Sequence, residues 1–388
     1  MKKQVISLAV SMAFAAPVFA QNSVTLYGVI DEGLDYTNNV GGKHLYEMAG
    51  GVIQGSRWGL KGSEDLGGGL KAVFQLENGF NINNGNLGQG SRMFGRQAFV
   101  GLSGASFGTV TLGRQYDSLV DYLAPLTANG NWGGSVFQHP YDNDNTGNSF
   151  RVNNTVKFAS NTYAGFQFGA TYSFSNDTNF GNNRQYSIGT SYTLGGLQLA
   201  AAYLQANRPG ANGNGGAIAA NDANFTAERL RIFGAGVNYA FGPATVGLVY
   251  TNSNMKNPTG TAYTAASILP TSGPLVGASL TTLKFQNIEL NGMYQVTPAL
   301  SLGAEYVYTM VNYDTTAGNA KPKMHTFALM ADYNVSKRTD VYVQGGFEKV
   351  AGDSTGSAAI DRAEVGGASE ISSSSKQFIA RVGLRHKF

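Results

Sequence analysis

Few side chains in this sequence could do chemistry, and most of them are scattered. Cysteine is absent, and the four histidines are His44, His139, His325 and His386. None of the four stands at a spacing that grips zinc. Asp142-Asn143-Asp144-Asn145-Thr146-Gly147 puts oxygen donors at positions one, three and five and glycine at six, as a calcium loop does. Its twelfth position is Asn153, not a bidentate glutamate, and no helices flank it. Asp142 and Asp144 therefore read as a polar turn before they read as a metal site. No G-x-S-x-G elbow presents a nucleophile. His325 has hydroxyls within reach but lies at a strand edge and is expected to face solvent, which leaves no base–nucleophile pair. The glycine-rich run 210–216 is not followed by a helix, so it is read as a flexible surface loop and not as a phosphate cradle. No catalysis, cofactor or metal is expected. What remains is positive charge in register: Arg57 opposes Trp58 and Leu60 along its strand, and Arg151 opposes Val152 and Val156.

The elements that would position these arginines are strands. Nearly every segment after Gln21 alternates with period two and is rich in aromatic and β-branched residues. Strands are expected over 24–35, 54–62, 70–82, 94–103, 108–115, 151–159, 166–174, 184–194, 197–205, 231–241, 244–254, 283–296, 300–313, 325–336, 339–350 and 377–388. Short turns alternate with long polar connections, as in membrane barrels whose hairpins have one terse end. The fold class expected is all-β, a sixteen-stranded antiparallel transmembrane β-barrel. Faces such as Phe327, Leu329, Ala331, Tyr333 and Val335 suit lipid, and 20 Tyr with 22 Phe supply interfacial girdles.

Composition agrees. Charged residues are 13% of the chain, about half the ~25% of soluble domains, which counts against a soluble sandwich. Lys2 and Lys3, the apolar run 5–16 and Val18-Phe19-Ala20 form an export signal with cleavage expected before Gln21, leaving one domain over 21–388. Without those two lysines, 25 basic side chains face 24 acidic ones, so no nucleic-acid partner is implied.

The stretch 117–150 interrupts the pattern. It has neither period, yet it carries Trp132, Phe137, Tyr141 and Phe150. A connection this long is usually functional, and this one is expected to fold into the barrel and narrow it. Tyr116, Tyr122, Trp132 and Phe137 could line a solute path there, although anchoring by burial is the simpler role.

GSRWGLKGSEDLGGGLKAVFQLENGF (55–80), GRQAFVGLSGASFGTVTLGRQYD (95–117) and the terminal Phe388, with Phe378, Ala380, Val382 and Leu384 on its face, closely resemble the trimeric general porins of Gram-negative outer membranes. The resemblance implies a water-filled diffusion channel with an inward-folded third loop, assembled as a homotrimer among outer-membrane lipid and lipopolysaccharide. Phe388 would be the signal read by the barrel-assembly machinery. It also implies a constriction with Arg57, Arg96 and Arg151 on the wall, Lys61 and Lys157 in support, and Asp117 and Asp121 on the loop. Alternation alone sends Arg96 outward with Ala98, Val100 and Leu102; the resemblance sends it inward. Arg114 shares a face with Val110 and Leu112, and both lumen and subunit interface stay open for it. Such a wall predicts weak to moderate anion selectivity. A substrate-selective channel for a sugar or a particular anion is the second reading, and a non-channel adhesin barrel the third.

Overall fold

The computed structural model describes residues 23–213 and 215–388; the export signal expected over 1–20, its cleavage point and Asn214 lie outside the described residues. Eighteen stretches of strand join in one sheet that closes on itself. They make sixteen barrel strands, because two of those strands are each interrupted once. In chain order these are β1 Ser23–Val40; β2 Lys43–Gly50 continued by Arg57–Gly67; β3 Leu70–Gly79; β4 Gln97–Gly104; β5 Gly108–Gln115; β6 Val152–Ala159; β7 Phe166–Ser173; β8 Gln185–Leu194; β9 Leu197–Asn207; β10 Phe225–Phe241; β11 Ala244–Thr261; β12 Leu280–Gln295; β13 Leu300–Thr315; β14 Gly318–Ala320 continued by Pro322–Asn334; β15 Thr339–Gly352; and β16 Lys376–Lys387.

All neighbours pair antiparallel, and β1 meets β16 from Val29 opposite Lys387 to Thr37 opposite Ile379. Closure leaves no unpaired edge, the condition for backbone to cross hydrocarbon. Phe388 completes the seam: its N–H donates to the Gly28 carbonyl and its carbonyl accepts from the Gly28 N–H, each at 3.1 Å.

The two-residue period sorts the side chains as expected. Along β14, Phe327, Leu329 and Tyr333 lie outside and are at least half exposed, while Met324, Thr326 and Ala328 turn inward and are buried. His325 does not face solvent at a strand edge. It sits on the outer face of β14, its Nδ1 2.9 Å from the Tyr306 hydroxyl and its ring beside Tyr308.

Several strands run past their apolar stretch. β1 continues to Val40, and β11 reaches Thr261. Beyond the bilayer both faces are wet, so apolar alternation fades while ladder hydrogen bonds continue. β2 begins at Lys43, well before 54, because residues 51–56 buckle inward and split it. The buckle is held from below, where Asp31 Oδ2 accepts the N–H groups of Ile53 (2.7 Å) and Gln54 (2.8 Å). Asp31 is fixed in turn by the Tyr342 hydroxyl at 2.5 Å, and Arg381 bonds both Tyr342 and Asp35. The run 210–216 is not simply a free surface loop. Its tip is exposed, but Ala217, Ile218 and Ala219 directly after it are fully buried, and the Ala217 carbonyl accepts from Asn153 N–H at 2.8 Å.

Candidate functional site

After Gln115 the chain leaves the wall and crosses the lumen in short helical turns, Leu119–Leu123, Ala124–Leu126, Asn129–Gly133, Ser135–Phe137 and Pro140–Asp142. One side of this loop is apolar. Leu119, Leu123, Ala128, Val136 and Phe137 are fully buried, and each large one stabilises the docked loop by roughly 1.5–3 kcal/mol. Trp132 packs edge-on against Phe137, centroids 4.8 Å apart. The wall beneath is cut away by glycines. A Cβ at Gly303 would stand 2.3 Å from Trp132 Cζ3, one at Gly346 2.8 Å from Val136, one at Gly234 2.5 Å from Leu123 and one at Gly189 2.5 Å from Tyr122. The tip is also tied to the buckle in β2, where Ser135 N–H donates to the Val52 carbonyl at 2.7 Å.

The other side of the loop faces open space. A cavity of about 760 Å³ separates it from the β1–β4 wall, and Arg57, Arg96 and Arg151 line that cavity together. Across from them stand loop amides and hydroxyls, among them Asn129, Asn131, Thr146 and Ser149. Among the described residues lining the space, Glu77 is the only carboxylate, against the three arginines and Lys387. Glu77 bonds Arg96 Nε at 2.8 Å, lies 3.9 Å from Arg57 Nε and accepts from the Tyr27 hydroxyl. Among the described residues Arg151 reaches the Ser149 carbonyl, at 3.3 Å, and the Tyr116 ring, and its Nε has no hydrogen-bond partner.

Asp117 and Asp121 do not line this cavity. Asp117 is fully buried and braces the loop's own entry, accepting from Leu119 N–H (2.8 Å) and Asn145 Nδ2 (2.7 Å). Burial pushes its pKa up to about 6. Asp121 is paired with Lys157. Lys61 and Lys157 line a separate opening of about 510 Å³ with Gln75 and Gln115. Asp142 and Asp144 also brace the loop. Asp142 accepts from Gly147 and Ser149 N–H, and burial pushes it up to about 7. Asp144 accepts from Thr146 and Thr251 and meets His139 Nδ1 at 2.5 Å; its burial is outweighed by His139, which holds it down at about 2. Their oxygens point at protein donors and not at a common centre. The aromatic row is not built as a path either: Tyr122, Trp132 and Phe137 lie against the wall, and only Tyr116 stands among the arginines, donating to Glu77 and accepting from Arg96.

Arg96 points inward, against its strand parity, because β4 begins at Gln97 and the pleat does not yet govern it. Arg114 also points inward. The ladder shifts register between Gly113 and Gln115, and the guanidinium reaches back to the Gly95 carbonyl and across to Asn153 at the barrel mouth. It bonds Asp222 at 2.6 Å, as Arg92 does at 3.1 Å, so the 208–224 connection is strapped across the mouth of the barrel.

Glu77 and Asp222 were not singled out in the sequence, although Glu77 shares an inward face with Gln75. Nor was the group His139, Glu289 and Glu305. His139 Nε2 lies 3.0 Å from Glu289, and Asp144 and Glu289, against its burial, hold the imidazole well above its ordinary range. The inward parity of Glu289 and Glu305 is a signal that could have found them.

A family model described as Gram-negative porin matches residues 7–353. The chain belongs to the Gram-negative porin family. An outer membrane porin protein of Bordetella pertussis is 34% identical over 90% of this chain and 94% of its own. Among solved structures, an anion-selective porin from Comamonas acidovorans covers 95% of this chain over its full length, at TM-score 0.70 and 24% identity. The trimer form of OmpT from Vibrio cholerae covers 95% of this chain and 99% of its own, at TM-score 0.63 and 16% identity. This porin is therefore an outer-membrane β-barrel, and its lumen is a passive diffusion channel.

Proposed function

We propose that this porin passes small hydrophilic solutes and ions with a weak to moderate preference for anions, set at the cavity between the loop and Arg57, Arg96 and Arg151. The observation that carries this reading is the imbalance of charge: among the described residues, four cationic side chains and one carboxylate line the space. The loop's acids offer no offset, since Asp121 is paired with Lys157 and Asp117, Asp142 and Asp144 accept from donors of the loop and the wall. Charge of one sign at a narrow passage with low-dielectric walls focuses potential on passing ions. The Comamonas acidovorans structure bears the description anion-selective, which agrees.

The same reading has the 21–388 segment acting as a non-enzymatic homotrimer after loss of 1–20, in contact with outer-membrane lipid and lipopolysaccharide, with Phe388 read by the assembly machinery. A trimeric structural neighbour supports the assembly. The reversal potential across a planar bilayer in a potassium chloride gradient tests the preference. Chloride should be favoured, and Arg57→Ala with Arg151→Ala should move the potential toward zero. A double variant that keeps the full preference would remove these arginines from the account. Three equal conductance steps per insertion test the trimer.

A further inference from the structure

Behind the loop, on the side away from the passage, three ligating groups converge. His139 comes from the loop, Glu289 from β12 and Glu305 from β13, and one ligand atom of each lies within 4.8 Å of the others. All three are buried. We propose that they form a site for a divalent transition cation of the zinc class, which ties the loop to the barrel wall.

The surroundings already orient each donor. Asp144 sits 2.5 Å from His139 Nδ1, so that nitrogen keeps its hydrogen toward the carboxylate, and a cation would take the place of the Nε2 hydrogen directed at Glu289. A carboxylate behind a histidine in this way fixes ring orientation and raises ligand basicity. Glu289 Oε1 accepts from Ala128 N–H and from Asn291 Nδ2, both at 2.7 Å. Its Oε2 is thereby directed at the imidazole. Glu305 is the unexplained member: it is 5% exposed, and neither carboxylate oxygen accepts from an N–H or hydroxyl donor among the described residues, its polar neighbour being the Glu289 carboxyl. A carboxylate buried without donors costs several kcal/mol unless a cation or a proton meets it. Among the described residues no lysine or arginine forms an ion pair with Asp144, Glu289 or Glu305.

One imidazole with two carboxylates is a donor set of the zinc type, which satisfies three of the four positions of a tetrahedral ion. Tetrahedral bonds of ~2.0–2.2 Å hold donors roughly 3.3–3.5 Å apart, so the group closes by about 1 Å at its widest when filled. A filled site would cross-link one loop residue to two wall strands.

Cobalt(II) is the probe. The full mature chain is folded into detergent micelles with cobalt chloride or with EDTA, then desalted. The expected result is about one cobalt per chain, visible absorption of a four- or five-coordinate ion, and displacement by zinc. Glu305→Gln should weaken binding at least tenfold, and Asp144→Asn by about 10–100-fold, the range for a ligand's supporting carboxylate. Glu305→Gln should keep the open-channel conductance. Wild-type chain that folds and conducts but retains no cobalt overturns the site and implies a proton shared between the glutamates instead. Binding unchanged in both Glu305→Gln and His139→Gln overturns it too, by placing the ion elsewhere. If the variants fail to fold, the wild-type metal content decides alone. None of these results depends on ion preference, so the channel reading can fail or hold separately.

Discussion

At the scale of the residue, the passage is governed by which charges remain unsatisfied. A unit charge 4 Å from an ion is worth about 1 kcal/mol in water and more where walls exclude it, so each of Arg57 and Arg151 should bias anions by roughly 0.5–1 kcal/mol, or about 2–5-fold in permeability ratio. Glu77 works against them. Glu77→Gln should raise the chloride preference measured from reversal potentials. It should also destabilise the barrel by about 3–5 kcal/mol, because Arg96 is then buried without its partner. Loss of preference in that variant would mean that Glu77 does not offset the arginines. Asp117 makes a pH-dependent contribution. Its carboxyl is raised to about 6 by burial, so the folded loop holds the proton more tightly than the unfolded chain does. That contribution is complete below the ordinary aspartate value and is lost as pH rises through about 6. Open-channel current should grow noisier from pH 4 to pH 7, and Asp117→Asn should flatten the trend.

At the scale of the element, the loop and its bed are one design. The loop presents Trp132, Leu123, Tyr122 and Val136; the wall answers with Gly303, Gly234, Gly189 and Gly346. Gly303→Val should push Trp132 into the lumen, at an overpacking cost of about 1–3 kcal/mol, and lower single-channel conductance. Adding Trp132→Ala should restore conductance, since the two changes meet at one contact. A Gly303→Val channel of normal conductance would show that Trp132 is not wedged there. Much of this was legible in the sequence. Aromatic mass in a stretch without a period pointed to an inturned loop, and strict alternation located sixteen strands. The roles of the loop acids were not legible. Asp117 and Asp121 have the right charge in the right loop, but only their partners, Asn145 and Lys157, show that they brace it. Arg96 and Arg114 escaped for a local reason as well. One precedes the first pleated residue and the other sits at a register shift and reaches back to the Gly95 carbonyl, so parity does not decide where the charge lies.

At the scale of the whole molecule, an apolar exterior, a closed ladder and a lumen divided by one loop produce a diffusion channel. The outer face carries half-exposed Phe327, Leu329 and Tyr333, which fits hydrocarbon and would expose a large apolar area in water. The most direct test of the central claim uses the absence of cysteine in the chain. Asn131 lines the cavity from the loop, opposite the arginines. In Asn131→Cys, a negatively charged methanethiosulfonate added during recording should lower the single-channel current and weaken the chloride preference. Complete labelling with neither current nor reversal potential changed would contradict it, because ions would then be passing somewhere other than between that loop and that wall.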